Sequence, residues 1–144
     1  AHPDASDAER LARAELAHAM MFLLRGVPTV YYGDEQGFTG DGNDQDARET
    51  LFASKVAIYN DNDLIGSDAT TATANFVPSH PLYQAIRKLA AARRDHPALR
   101  YGRQIVRSYD EKPRLFSLSR INPADGTDIM VLFNTSSAPI TARV

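Results

Sequence analysis

Residues Arg25–Gln36 read RGVPTVYYGDEQ, and this stretch decides how the fold is interpreted. The segment Val27–Tyr32 is short, β-branched and aromatic, lies between two glycines and does not alternate polar with apolar residues. That pattern predicts a strand buried on both faces, as in a parallel sheet. Pro28 stands at the strand start, where a missing N–H is tolerated. Two acids, Asp34 and Glu35, follow the carboxyl end of the predicted strand.

Helices are predicted on either side of this strand. Upstream, Ser6 and Glu9 have the spacing of a capping box, and apolar residues then recur at helical intervals as far as Leu24. Downstream, Ser79–Asp95 carries an apolar face and a basic face, and a proline follows it two residues later. The first two thirds of the chain are therefore predicted to run helix, strand, irregular region, helix.

The irregular region is Gln36–Val77. Its beginning is rich in glycine and aspartate, which predicts a polar loop. A short helix is predicted over Ala47–Tyr59, and the polar run after it ends that helix. A long irregular region inside a compact domain is usually functional or flexible.

Past Gly102 the apolar period changes to two, which predicts strands joined by turns. The predicted strands are Gln104–Asp110, Arg114–Arg120, Asp128–Asn134 and Pro139–Val144. They indicate an antiparallel meander or part of a sandwich, with a domain boundary near Leu99–Gly102.

Composition excludes several classes of protein. The chain has 144 residues, no cysteine, and 16 Lys+Arg against 18 Asp+Glu, for a net charge of -2. Without cysteine there is neither a disulfide scaffold nor a thiolate metal site. The charge balance predicts no nucleic-acid partner and no membrane anchor. The longest apolar run, Ala19–Leu24, is far below the roughly 20 residues that cross a bilayer. The length also excludes a complete (β/α)8 barrel, which needs roughly 200 residues or more.

The aspartate-rich loop does not fit an EF-hand. That motif needs a Glu at its twelfth position, but counting from Asp41 reaches Phe52 and counting from Asp44 reaches Lys55. No two histidines have the spacing of helical metal ligands. We expect no metal ligands and no cofactor in this chain.

Two pairs of charged residues are candidates for carbohydrate chemistry. Asp34 and Glu35 are adjacent, so on an extended chain they point in opposite directions and are not expected to flank one bond. The alternative for them is a structural role at the rim of a loop. Asp44 and Arg48 lie four residues apart. They form either an exposed ion pair or a sugar-binding pair, because a carboxylate and a guanidinium offer fixed acceptors and donors to hydroxyl groups.

Several segments resemble one family in the same order along the chain. Arg25–Gln36 resembles the eighth-strand segment of the α-amylase family, glycoside hydrolase family 13, and the helix before it resembles the seventh barrel helix. Gly42–Arg48 (GNDQDAR) is similar to the loop after strand eight, and His80–Leu99 to the last barrel helix and its exit. Val131–Asn134 resembles the start of the C-terminal β-sandwich.

The resemblance implies an α+β fragment of a larger enzyme. Residues 1–99 would be the last helix–strand–helix part of a (β/α)8 TIM barrel. Residues 100–144 would be the first antiparallel strands of a C-terminal β-sandwich domain.

The implied activity is that of a retaining glycoside hydrolase or transglycosylase acting on α-glucans. In the family the three catalytic carboxylates come from strands four, five and seven, upstream of the segments found here, and no His-Asp dipeptide occurs in this chain. No catalytic residue is therefore carried over, and we expect the fragment itself to be inert. Asp44 and Arg48 match an Asp-x-x-x-Arg pair that contacts glucosyl units on the non-reducing side in several members. Glu49 departs from the family, where another basic residue is frequent.

The implied partner of the parent enzyme is an α-glucan or malto-oligosaccharide, and calcium stays open as a cofactor of that parent. The unpaired edge of the predicted strand implies self-association, complementation by the missing part of the barrel, or a local rearrangement. The alternative function is a non-catalytic structural or carbohydrate-binding module derived from such a barrel, with Asp44, Arg48 and the tyrosines as its binding residues. The sequence indicates no cellular compartment.

Overall fold

The computed structural model describes residues 4–40, 42–109, 112 and 114–143. The described helices are α1 Asp7–Leu23, α2 Ala57–Asn60, α3 Pro81–Asp95 and α4 Pro97–Tyr101, with a 3₁₀ turn at Asp34–Gln36. The described strands are β1 Arg103–Tyr109, β2 Leu115–Ile121 and β3 Asp128–Asn134. No helix in these ranges combines the length and apolar character needed to cross a membrane. The predicted loop residue Asp41 and the predicted strand ends Asp110 and Val144 lie outside the described residues.

The capping box of α1 forms as predicted. Glu9 N–H donates to Ser6 Oγ at 3.3 Å, and Ser6 N–H donates to Glu9 Oε2 at 2.9 Å. These reciprocal bonds satisfy backbone donors that the first turn leaves without helical partners. The second predicted helix is also confirmed: α3 begins at Pro81 and ends at Asp95. The short helix α4, which starts directly after it with Pro97 in its first turn, was not predicted.

The chain divides into two compact units. The first contains the chain up to His18 together with Thr29–Lys88, and the second contains Ala19–Pro28 together with the chain from Leu89 onward. The predicted boundary between residues 99 and 100 concerns the domains of the parent enzyme, and this division of the chain does not test it. The boundary therefore stays a prediction.

The second unit is built on a three-stranded antiparallel sheet with the order β1-β2-β3. The strand β2 is central, and Leu118 at its middle pairs with Val106 on one side and Val131 on the other. Leu118 and Val131 are buried, as is Phe133, and α4 packs against β2 and β3. The bounds of β3 are those predicted, whereas β1 begins one residue before its predicted start and β2 one residue after. The α+β class with an antiparallel sheet is therefore confirmed.

The prediction of a strand buried on both faces at Val27–Tyr32 is wrong for this chain. The segment forms no strand, and Val27 is 90% and Tyr31 58% exposed. A strand of a parallel sheet exists only where neighbouring strands accept and donate its backbone hydrogen bonds. The described strands all follow residue 102 and pair only with one another.

The predicted helix over Ala47–Tyr59 is reduced to the single turn α2. Ser54 N–H donates to Thr71 O at 2.9 Å, and Leu51 O accepts from Asn75 N–H at 2.8 Å. These bonds to a distant segment use backbone groups that a helix would need for its own turns.

The fourth predicted strand, Pro139–Val144, is wrong over its described part, 139–143, which is irregular. Asn134 Nδ2 donates to Ala138 O at 2.8 Å and closes a turn directly after β3. The proline that follows has no N–H to offer a sheet.

Candidate functional site

The Asp44–Arg48 pair lies in the first unit and forms an exposed ion pair. Arg48 Nη2 is 3.3 Å from Asp44 Oδ2, and Arg48 Nε donates to the backbone carbonyl of Asp44 at 3.0 Å. The side chain of Arg48 is 63% exposed, and that of Asp44 is 83% exposed. An exposed pair of this kind contributes about 0–1 kcal/mol to stability. Its exposure also leaves both charged groups accessible to a ligand, so the sugar-binding role stays a prediction.

A turn, and not a helix, brings the side chains of Asp44 and Arg48 together. Asn43 Oδ1 accepts the N–H groups of Gln45 at 2.8 Å and Asp46 at 3.2 Å, and Arg48 N–H donates to Gln45 O at 3.1 Å. Asparagine side chains stabilise turns in this way because they replace a backbone acceptor.

Glu49 is buried beside the same loop and accepts a hydrogen bond from its backbone. Its side chain is 1% exposed, and its Oε2 accepts the N–H of Gly40 at 3.3 Å. The sequence contained no signal for this burial, because a single Glu in a polar loop is ordinarily exposed.

Asp34 and Glu35 hold the backbone of the loop that precedes this region. Asp34 Oδ2 accepts the N–H of Tyr31 at 3.1 Å, and Glu35 Oε2 accepts the N–H of Gly33 at 3.0 Å. Asp34 Oδ2 also lies 3.6 Å from Nε2 of His18, on α1. This geometry agrees with the structural, loop-rim interpretation of the two acids.

Tyr31 and Tyr32 form an exposed aromatic pair on that loop. Their ring centroids are 4.6 Å apart with an interplanar angle of 38°, and the residues are 58% and 43% exposed. Burial raises the pKa of Tyr32, and Tyr31 and Tyr59 act in the same direction, while the charge of Arg48 acts in the opposite one. The buried strand predicted for Val27–Tyr32 does not form, so both tyrosines are accessible in this chain, and the binding role of the tyrosines in the alternative function stays a prediction.

His80, the histidine before α3, is buried and has a structural role. Its Nδ1 accepts the N–H of Leu82 at 3.3 Å. Burial lowers the pKa of His80, and nearby backbone carbonyls and carboxylates only partly oppose that effect. Within the described ranges, no group of three or more His, Cys, Asp or Glu side chains converges as a metal site would require.

Comparison with known proteins gives a consistent result. A family model described as "Alpha amylase, catalytic domain" matches residues 3–102. The alpha-amylase of Streptomyces lividans is 45% identical over 140 residues, which is 97% of this chain and 15% of that protein. The beta/alpha-amylase of Paenibacillus polymyxa is 32% identical over 124 residues, covering 85% of this chain and 8% of that protein. A cyclomaltodextrin glucanotransferase of Bacillus sp. (strain 1011) is 40% identical over 92 residues, covering 62% of this chain and 10% of that protein. The chain thus spans 15% or less of the length of these relatives.

Proposed function

As this chain belongs to the α-amylase family, we propose that it is part of a retaining glycoside hydrolase or transglycosylase that acts on α-glucans. The observation that carries this proposal is the match of residues 3–102 to the catalytic-domain model. The names of the relatives, alpha-amylase and cyclomaltodextrin glucanotransferase, support an α-glucan or malto-oligosaccharide as the substrate class.

Within the parent enzyme, residues 1–99 form the end of the catalytic barrel and residues 100–144 begin the C-terminal β-sandwich. Two observations support this division. The catalytic-domain match ends at residue 102, and β1 begins at Arg103. In the parent, the segment Val27–Tyr32 pairs with neighbouring barrel strands that this chain does not contribute.

By itself the chain is catalytically inert. Retaining glycoside hydrolysis needs two carboxyl groups about 5–5.5 Å apart on either side of the scissile bond, one as nucleophile and one as acid and base. The acids of the candidate region have other roles. The carboxylates of Asp34 and Glu35 accept hydrogen bonds from backbone N–H groups of their own loop. The carboxylate of Asp44 is paired with Arg48. The catalytic carboxylates belong to upstream strands of the parent.

The contribution of this chain to the parent is to bind sugar hydroxyls through Asp44 and Arg48. A carboxylate accepts hydrogen bonds from two hydroxyl groups, and a guanidinium donates in a fixed fork, so together they recognise a pair of vicinal hydroxyls. Two features support this role: both side chains are exposed, and a turn holds them next to each other.

This role predicts that neutral replacements weaken sugar binding. We expect Asp44→Asn and Arg48→Gln each to raise the Kd for maltoheptaose about tenfold, because each removes a charge-assisted hydrogen bond. Isothermal titration calorimetry on the 144-residue chain measures the effect.

The matched control is the ion pair of Arg94 and Asp95 in α3, whose side chains are 71% and 56% exposed. Arg94→Gln and Asp95→Asn are expected to leave the Kd unchanged. If all four variants bind maltoheptaose like the unmodified chain, the assignment of Asp44 and Arg48 to sugar binding is wrong.

A second candidate function is a carbohydrate-binding or structural module without catalysis. It is favoured by the accessibility of the Asp44–Arg48 pair in this chain alone. The reading frame upstream of Ala1 separates the two candidates: three carboxylates at the ends of strands four, five and seven favour the enzyme, and their loss favours the module.

A further inference from the structure

We propose that a cluster of arginines in the second unit binds a polyvalent oxyanion, that is, a ligand with more than one phosphate group. The arginine cluster consists of Arg25, Arg93, Arg100, Arg103 and Arg120. Its three exposed members contact the ligand, and the other two add to the positive charge of the site. The inference is independent of the proposed sugar-binding pair, which belongs to the first unit.

The two units carry opposite net charges, although the whole chain is nearly neutral. The first unit contains 6 Lys+Arg against 13 Asp+Glu, a net charge of -7, and the second contains 10 against 5, a net charge of +5. The charge balance of the whole sequence therefore conceals a basic second unit. A concentration of positive charge attracts anions and raises their local concentration.

The three exposed arginines lie near the start of β1. The N–H of Arg25 donates to Gln104 Oε1 at 2.8 Å, and Gln104 directly follows Arg103 in the strand. Arg100 lies in α4 and is separated from Arg103 by only two residues. Residues that are distant in sequence are thus brought together at one end of the sheet.

The other two arginines reach the same region through backbone carbonyls. Arg93 donates to the carbonyl of the residue after Arg25, and Arg120 donates at 3.0 Å to the carbonyl of the residue before Arg103. Burial and the charge of Arg93 both lower the pKa of Arg120, which agrees with their proximity. All five arginines therefore contribute to one positive region of the second unit.

Acidic side chains do not neutralise the arginine cluster within the described part of the chain. The ion pairs that the second unit forms there join Arg94 to Asp95 and Arg107 to Asp128, so neither contains a member of the cluster. The carbonyls at the end of α1 compensate only in part, because a helix end carries about half an elementary negative charge. Most of the positive charge of the cluster is therefore left for a ligand.

The exposed arginines also have hydrogen-bond donors available. Among the described residues, no hydrogen bond engages the guanidinium of Arg25, Arg100 or Arg103, and all three residues are exposed. Cζ of Arg100 lies 5.1 Å from the ring centroid of Tyr101. Such stacking uses the face of a guanidinium and leaves the N–H groups at its edge for a ligand. A guanidinium fork matches the oxygens of phosphate, and several forks favour a ligand with several phosphate groups.

The test is a calorimetric titration of the whole chain with tripolyphosphate at physiological ionic strength. We expect the double variant Arg100→Gln/Arg103→Gln to bind about tenfold more weakly, because it removes two charged donors. The matched control, Lys112→Gln/Arg114→Gln, removes the same charge directly before β2, about 20 Å from Arg103 along the strands. Charges at that distance are largely screened, so the control should bind within about twofold of the unmodified chain.

Inorganic phosphate is the second probe. It should bind more weakly than tripolyphosphate, because a single phosphate group contacts fewer guanidinium groups. Equal affinities for the two probes would contradict a site that is built from several arginines.

Two further outcomes overturn the proposal. Equal weakening by the two double variants would show that binding follows net charge and not the arginine cluster. The absence of tripolyphosphate binding by the unmodified chain would show that the uncompensated charge forms no site. Thermal unfolding without ligand identifies any variant that has lost its structure, and in that case Arg25→Gln, a single change at an exposed residue, replaces the double variant and should also weaken binding.

Discussion

His80 shows how one buried side chain links stability to pH. The residue is 5% exposed, and its burial lowers the pKa of the imidazole below the ordinary value. The backbone carbonyls of Ile65 and Glu35 and the charge of Asp7 favour the protonated form but do not outweigh burial. The folded chain therefore keeps His80 neutral at a pH where the unfolded chain has begun to protonate it.

The sign of the effect follows from proton binding. As the pH falls through about 6.5, the ordinary value for histidine, the unfolded state binds more protons at this position than the folded state, so the free energy of unfolding decreases. We expect this decrease to continue until the pH reaches the lowered pKa of the folded state. Urea unfolding between pH 7.5 and pH 5 measures it.

The variant His80→Asn tests this assignment, because its side-chain oxygen replaces Nδ1 as acceptor for Leu82 N–H but does not titrate. Its stability should depend less on pH than that of the unmodified chain. His96→Gln, at an exposed histidine, is the control and should keep the original dependence. An unchanged pH slope in His80→Asn would contradict the explanation.

At the scale of elements, two arginines determine how α1 ends in the second unit. Arg93 donates to the carbonyls of Phe22, Leu24 and Gly26. Arg120 donates to Leu23 O at 2.8 Å and to the carbonyl of Gly102, the residue after α4. The last carbonyls of a helix have no partners inside it and carry partial negative charge, so cations stabilise this end.

Arg120 is the more deeply buried of the two. It is 1% exposed on β2, and burial together with the charge of Arg93 lowers the pKa of its guanidinium. Its two bonds to carbonyls, including Gly102 O at 3.0 Å, compensate in part for this cost. Removing the side chain leaves buried carbonyls without hydrogen-bond donors, and this lowers the free energy of unfolding.

We therefore expect Arg120→Met to lower the free energy of unfolding by about 2–4 kcal/mol. Arg103→Met, at an exposed arginine of β1, is the control and should change stability by less than about 0.5 kcal/mol. Denaturant unfolding followed by circular dichroism measures both. A difference between the two variants of less than about 1 kcal/mol would show that the buried hydrogen bonds of Arg120 contribute little net stability.

The elements that were predicted correctly depend on local signals. The start of α1 follows from Ser6 and Glu9, and the end of α3 follows from a proline two residues later. The bounds of β3 follow from the alternation and flanking turns of Asp128–Asn134. The helix predicted over Ala47–Tyr59 was wrong because its carbonyls and amides bond to residues near Thr71, which no local pattern records.

At the scale of the whole molecule, the chain spans only a small share of the length of the family members that it matches. It spans 15% of the length of the alpha-amylase of Streptomyces lividans. Val27 is 90% exposed and Val30 37% exposed, so apolar residues of the segment Val27–Tyr32 face solvent in this chain. Exposed apolar segments favour association, and we propose that this segment either joins the missing part of the barrel or pairs with a second copy of the chain.

We expect the isolated chain to release no reducing sugar from soluble starch or from a short α-glucoside. Under the proposed function, activity should return only when the chain is produced together with the upstream part of the parent enzyme. Turnover by the purified chain alone, at a rate that survives a second purification step, would disprove its inertness. Sedimentation at several concentrations distinguishes a complemented barrel from self-association.

The sequence by itself determined what depends on near neighbours and on the order of motifs: the capped start of α1, the alternating strands, and the family of the chain. Tertiary structure alone decided the rest. Val27–Tyr32 has the composition of a strand, but strands form through hydrogen bonds to neighbouring segments, and these are not available within the described chain. The same reason applies to the site, where the burial of Glu49 and the pairing of Tyr31 with Tyr32 depend on distances that sequence spacing does not specify.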